Sequence, residues 1–185
     1  MSTYFLVDTP MTELSVLEAP CKRRRYSPEF KSSSLGVLDG DEVIYIARSS
    51  APHRLVAITL STGTQLPAAY TSMGRILLAQ LSDGELDDYL EGVKLTPYTD
   101  KTLNRRGDLK AAILTARQQG YAIVDQEFDS GLRSIAIPAF DTEGKLLGAL
   151  NISTDAARVD MDTLLDSYLP LLKEKARQIQ LSVSS

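Results

Sequence analysis

Leu132-Arg133-Ser134-Ile135-Ala136-Ile137-Pro138-Ala139-Phe140 and Lys145-Leu146-Leu147-Gly148-Ala149-Leu150-Asn151-Ile152-Ser153 flank the tetrad Asp141-Thr142-Glu143-Gly144. The flanking runs are rich in aliphatic and small residues, and the tetrad is loop chemistry, so the segment reads as a long antiparallel hairpin. Side chains alternate faces along a strand. Ile135 and Ile137 therefore share one face, and Ser134, Ala136 and Pro138 the other. Leu150 and Ile152 likewise oppose Asn151 and Ser153. Each strand has an aliphatic face that fits a core and a face of small or polar residues. That second face fits either solvent or a polar ligand cavity lined by hydroxyl and amide groups.

Working outward, Leu35–Leu38 and Glu42–Ala47 are β-rich runs around Asp39-Gly40-Asp41, a strong hairpin signal. A third strand is expected at Arg54–Leu60, with Ser61–Thr64 as a turn. A helix starts at Tyr70–Ala79, capped by Thr71 or Ser72. Ser82-Asp83-Gly84-Glu85 opens a second helix, and Asp108–Gln119 forms a third, closed by Gly120 as C′ residue. Tyr121–Val124 is a short strand. Asp160–Leu181 is a long amphipathic helix that Pro170 should kink or interrupt. Strand runs separated by a helical block predict an α+β fold with a mostly antiparallel sheet. Thr12–Glu18 has the pattern of a short helix ended by Pro20. Cys21–Phe30 reads as loop or linker, its basic run Lys22–Arg25 fitting a solvated surface better than a phosphate contact.

Composition narrows the function. The chain has 185 residues, 20 Lys+Arg against 24 Asp+Glu, net charge −4, one cysteine and one histidine. An acidic balance does not suit a non-specific nucleic-acid binder. Cys21 and His53 alone cannot build a disulfide framework or the usual zinc clusters. No apolar run reaches the ~20 residues of a membrane helix, and the first residues lack a secretory pattern. The expected location is therefore the cytoplasm. There is no G-x-S-x-G, Walker A, G-x-G-x-x-G or H-E-x-x-H. We expect no catalytic residues, no metal and no cofactor. Asp125 and Glu127, two apart, would share a face if the strand continues, where they would either do acid/base work or close salt bridges at a strand end. Arg48, Arg75 and Arg133 are possible carboxylate partners by chemistry. Of these, Arg133 has the parity of Ile135 and should point away from the polar face. The helix start at Ser72, Met73 and Gly74 offers N–H groups for an anion, and Gly74 serves either close ligand approach or tight helix–sheet packing.

Leu66–Ala79, Gln119–Glu127, Gly131–Pro138 and Ala149–Thr154 resemble, in that order, the C-terminal effector-binding domain of IclR-family transcription regulators. Thr71-Ser72-Met73-Gly74-Arg75 together with Val124-Asp125-Gln126-Glu127 most resembles the β-ketoadipate-pathway branch, the PcaR, PcaU and PobR type. The resemblance runs from about Leu35 to the end. It implies a GAF-like (profilin-like) curved sheet with flanking helices and a small organic acid effector, either an aromatic acid or a ring-cleavage dicarboxylate. It carries the effector-binding role to Ser72, Met73, Gly74, Ser134, Asn151 and Ser153. Asp125 is included as the neighbour of Val124, the position at which glyoxylate-type members place an acidic ligand residue. That difference implies an effector larger or less polar than glyoxylate. The resemblance also implies a homodimer or tetramer. DNA is expected to be bound only through a winged helix-turn-helix domain missing from this chain, with residues 1–32 as linker or remnant of an interdomain helix and 33–185 as the effector domain. The alternatives are a small enzyme acting on such acids, with Asp125 or Glu127 as base, and a ligand-free oligomerisation module.

Overall fold

The computed structural model describes residues 30–50 and 61–183. The expected helix at 12–18, the basic run at 22–25, most of the expected loop before Phe30, the expected strand at 54–60 and His53 lie outside these residues. The described strands are β1 (Phe30–Asp39), β2 (Glu42–Ser50), β3 (Gln65–Pro67), β4 (Ala122–Asp125), β5 (Leu132–Phe140) and β6 (Leu146–Asp155). They form one six-stranded sheet in the order β3-β2-β1-β6-β5-β4, antiparallel at every described pairing. Between β3 and β4 stand a 3-10 turn (Ala68–Tyr70) and the helices α1 (Ser72–Leu78), α2 (Asp83–Gly92) and α3 (Arg106–Gln119). After β6 come a helical turn α4 (Met161–Thr163), a π-helical turn (Leu164–Tyr168) and helix α5 (Leu169–Ser182). The class is α+β, as the order of elements predicts.

Local chemistry sets these boundaries. Ser82 and Glu85 form a reciprocal capping box at the start of α2. Gly120 closes α3 in the left-handed region, φ 76°. Asp160 Oδ1 accepts from the Thr163 N–H at 2.8 Å. Pro170 acts one turn earlier than a simple kink would: without its N–H the ladder shifts register, and the Leu169 N–H reaches back five residues to the Leu164 carbonyl.

The sheet divides two cores. On one face, α1–α3 pack with Met73, Ile76, Leu86, Leu109 and Ile113 against Val43, Tyr45, Ala136 and Ala149. On the other, the C-terminal helical segment packs with Leu164, Tyr168, Leu169 and Leu172 against Ile135, Ile137, Leu150 and Ile152. The parity expected for the hairpin holds: Ile135, Ile137, Leu150 and Ile152 go to α5, Ala136 and Ala149 to α1. A bulge at Leu35/Gly36 inserts Ile46 as an extra residue in β2, so Ala47 faces α5 while Tyr45 faces α1. β4 has four residues and covers β5 only from Arg133 to Ala136.

Candidate functional site

The sheet face under α1 carries the polar groups. Register alone defines two cross-strand rows, because residues paired across antiparallel strands share a face. One runs Arg48, Ser34, Asn151, Ala136, Ala122; the other contains Ser32, Ser153, Ser134, Val124. With strands about 4.8 Å apart, each row spans several strands of a continuous floor. Ser32, Ser34, Ser134 and Asn151 are buried, none more than 5% exposed. Burial excludes open solvent at these four positions, while Ser153 and Arg48 are half-buried. The Asn151 amide Nδ2 donates to Ser153 Oγ at 3.3 Å, while its Oδ1 is buried without a hydrogen-bond partner among the described residues. Burial lowers the Arg48 guanidinium from its ordinary pKa, and the same effect pushes the Tyr45 phenol up to about 12.

Helix α1 roofs part of this floor. Met73 is fully buried, and its Sδ lies 3.2 Å from where a Cβ on Gly36 would stand, so it is an apolar wall between α1 and β1. Gly74 is a packing residue. A Cβ there would fall 2.1 Å from the Ala68 carbonyl oxygen, and its N–H is taken by the cap, donating to Thr71 Oγ1 at 3.0 Å. The anion-site expectation for Gly74 is therefore corrected: neither its N–H nor open space is offered to a ligand. Ser72 is different. It is fully buried, and its Oγ has no hydrogen-bond partner among the described residues.

Asp125 stands apart from the set. It pairs in register with Arg133 on the opposite face from Val124 and Ser134. Its Oδ1 accepts from Arg133 Nε at 2.7 Å and its Oδ2 from Lys101 Nζ at 3.0 Å. Arg133, as expected, points away from the polar face, its Nη1 donating to the Val159 carbonyl. The Asp125/Glu127 pair dissolves as well. Gln126 has φ 62°, which rotates the chain so that Glu127 turns under α1 to meet Arg75. Two carboxylates two residues apart thus end in separate ion pairs.

Asp125 also predicts a pH dependence. The hydrogen bond from Arg133 holds its carboxyl at about 2, below the ordinary 3.8. A depressed acid stabilises the fold above its ordinary pKa, and that contribution fades as pH falls through the folded value. Asp125→Asn should therefore unfold at a lower temperature than the parent at pH 6–7. The gap should narrow below pH 4 and close near pH 2, measured by thermal melts across that range.

Ser32 and Ser34 are site candidates that the sequence does not reveal, Ser32 falling in the expected linker and Ser34 ahead of the expected first strand. Their parity relative to Asn151 is visible only once β1 is paired with β6. Arg48 was legible as a cation but not as a member of the floor.

The family model for the bacterial transcriptional regulator IclR C-terminal domain matches residues 30–181. The chain belongs to the IclR family. Its relatives include the Pca regulon regulatory protein of Pseudomonas putida, 41% identical over 168 residues, covering 91% of this chain and 58% of that protein. The p-hydroxybenzoate hydroxylase transcriptional activator of Acinetobacter baylyi is 31% identical over 151 residues, 80% of this chain and 56% of that protein. This IclR-family chain spans a little over half the length of the curated relatives it matches. Among solved structures, a transcriptional regulator of Rhodococcus sp. RHA1 superposes with TM-score 0.78 at 42% identity, over 83% of this chain and 62% of that one. The inducer-binding domain of Acinetobacter PobR, a double mutant solved with 3-hydroxybenzoic acid, superposes with TM-score 0.74 at 31% identity, over 81% and 87%. This chain is an effector-binding domain of the IclR type, and its relatives are transcription regulators rather than enzymes. Among the described residues no helix is long and apolar enough to cross a membrane.

Proposed function

We propose that this domain senses a small carboxylic acid, an aromatic acid or a ring-cleavage dicarboxylate, on the sheet face beneath α1. In this reading it couples that acid to DNA binding by a cytoplasmic regulator of aromatic-compound catabolism. The observation that carries the reading is a pair of buried polar atoms, Ser72 Oγ and Asn151 Oδ1, without partners among the described residues. Burying a polar group without a hydrogen bond costs about 1–3 kcal/mol, which a ligand hydroxyl or carboxyl would relieve. Ser32, Ser34, Ser134 and Ser153 add hydroxyls along the same floor, and Arg48 stands at its β2 end as the group to meet a carboxylate. Met73 is the apolar wall. Two named relatives, regulators of the Pca regulon and of p-hydroxybenzoate hydroxylase, support the effector class.

The mechanism is linkage: an effector that binds one quaternary state better shifts DNA affinity by that difference. A homodimer or tetramer fits this role, because two-fold DNA readers need symmetry. DNA is contacted by sequence outside the matched domain, in a winged helix-turn-helix.

Thermal stabilisation by β-ketoadipate, protocatechuate, 4-hydroxybenzoate and glyoxylate tests the reading. Ligand at about a hundred times its Kd adds roughly 2.7 kcal/mol, or about 5–10 °C for a domain of this size. One of the first three acids should produce the shift and glyoxylate should not. Ser134→Leu, which fills the floor, should remove the shift while leaving a cooperative melt. Indifference to all four acids would sink the effector class and favour a ligand-free oligomerisation module.

A further inference from the structure

We propose that Arg75 and Glu127 are positioning residues for effector binding, a clamp that holds Ser72 over the polar floor. The inference rests on reading that floor as the effector site. Arg75 and Glu127 are 3% and 8% exposed. The guanidinium grips the carboxylate with both ends of its fork, Nη1 to Oε1 at 2.8 Å and Nη2 to Oε2. Its Nε donates to the Ala69 carbonyl at 3.3 Å. One side chain therefore ties together the turn entering α1, α1 itself and the segment leaving β4.

The Glu127 side is equally fixed. Its carbonyl accepts from Thr102 Oγ1 at 2.6 Å, and the Gln126 carbonyl accepts from Thr99 Oγ1 at 2.6 Å. A buried ion pair is a weak source of stability, since an apolar pair of similar volume often serves as well or better. What a bidentate fork adds is a fixed direction. Direction matters here because α1 has only seven residues and is too short to order itself. Arg75 follows Ser72 by three residues, one turn on and along the same helix edge. Fixing Arg75 to Glu127 fixes the Ser72 hydroxyl relative to β4 and β5, where Val124 and Ser134 complete the floor.

The test uses the whole chain with Glu127→Gln and Arg75→Lys, in two arms. In the first, hydrogen–deuterium exchange of the ligand-free protein should rise in peptides covering 68–78 and 126–131 and stay unchanged in β6 and α5. A rise spread evenly over the domain, or none, overturns the clamp. In the second, the Kd of whichever panel acid binds the parent should rise about tenfold or more in Glu127→Gln. It should rise by less in Arg75→Lys, which keeps the charge and loses the fork, both measured well below the melting transition. Parent-like affinity in Glu127→Gln, when Asn151→Leu has lost binding, overturns the positioning role. If the parent binds none of the acids, the site reading falls, and the exchange arm still decides whether the pair holds Ser72. Should Glu127→Gln not fold, Arg75→Lys carries both arms.

Discussion

Gly74→Ala should leave no cooperatively folded domain. The added methyl would stand 2.1 Å from the Ala68 carbonyl oxygen, 2.4 Å from its Cα and 2.5 Å from its carbonyl carbon. All three are backbone atoms of a fully buried turn, so no side chain can swing aside. Relief requires α1 to lift from Ala68. That movement would pull Met73 from Gly36 and Arg75 from Glu127, and break the cap in which Thr71 Oγ1 accepts the Gly74 N–H. Overpacking in a well-packed core costs about 1–3 kcal/mol where side chains can adjust. With rigid backbone on the other side, the loss should exceed about 4 kcal/mol, a large part of a domain's total stability. Circular dichroism and a thermal melt check this. A cooperative melt within a few degrees of the parent would mean that the turn at Ala68–Tyr70 is not fixed where the structure places it.

Asn151→Leu should act in the opposite direction on stability and abolish function. Its Oδ1 is buried without a partner among the described residues, and its Nδ2 has one long hydrogen bond, to the half-buried Ser153. Leucine keeps the same branched four-atom side-chain skeleton, with bulkier methyl ends, removes the unsatisfied acceptor and adds apolar contact with the α1-side core. Removing a buried, unsatisfied acceptor relieves its desolvation cost, and the Ser153 hydroxyl that loses Nδ2 is only half-buried. The empty domain should therefore melt at the parent temperature or a few degrees higher. Effector affinity should fall about a hundredfold or more, since a polar ligand group would then meet a methyl. Calorimetric titration of the parent's effector into the variant, beside melts of both empty proteins, reads both quantities. A clear destabilisation would show that Asn151 is structural and would remove it from the site.

Most of the architecture was legible because it is written locally. Ser82 with Glu85, Gly120 after Gln119 and the Asp39-Gly40 turn each state an element boundary within a few residues, and the structure follows them. The polar face was legible from alternation alone, since strand parity at Ser134, Asn151 and Ser153 needs no knowledge of partners. What was not legible depends on distant pairing. β3 has three residues, Gln65–Pro67, too few for any period, and it is a strand only because Val43 and Ile44 pair with it. β1 extends back through a serine run with little β-propensity of its own, held between β2 and β6. Asp125 and Glu127 were expected to share a face because strand parity assumes φ stays negative, and the left-handed Gln126 breaks that assumption. Arg75 offered a cation with no clue to its partner, 52 residues further along the chain.

The shortness of β4 has a bearing on how this chain behaves in crowded solution. Beyond Ala136, the stretch of β5 from Ile137 to Phe140 pairs with β6 on one side, and β4 does not reach it on the other. Among the described residues no strand pairs with that edge, and an unpaired edge rich in apolar residues is a template onto which a foreign chain can add, the first step of aggregation. Pro138 sits in that stretch. A proline inside a sheet is tolerated where its missing N–H falls on the uncovered side, so an incoming strand finds a gap in the ladder where it needs a donor. The neighbouring Lys173 and Arg177, which line the shallow cleft beside Pro138 and Phe140, add charge to the same border. The residue that looks like a flaw in the longest hairpin of the sequence is thus a guard on its edge.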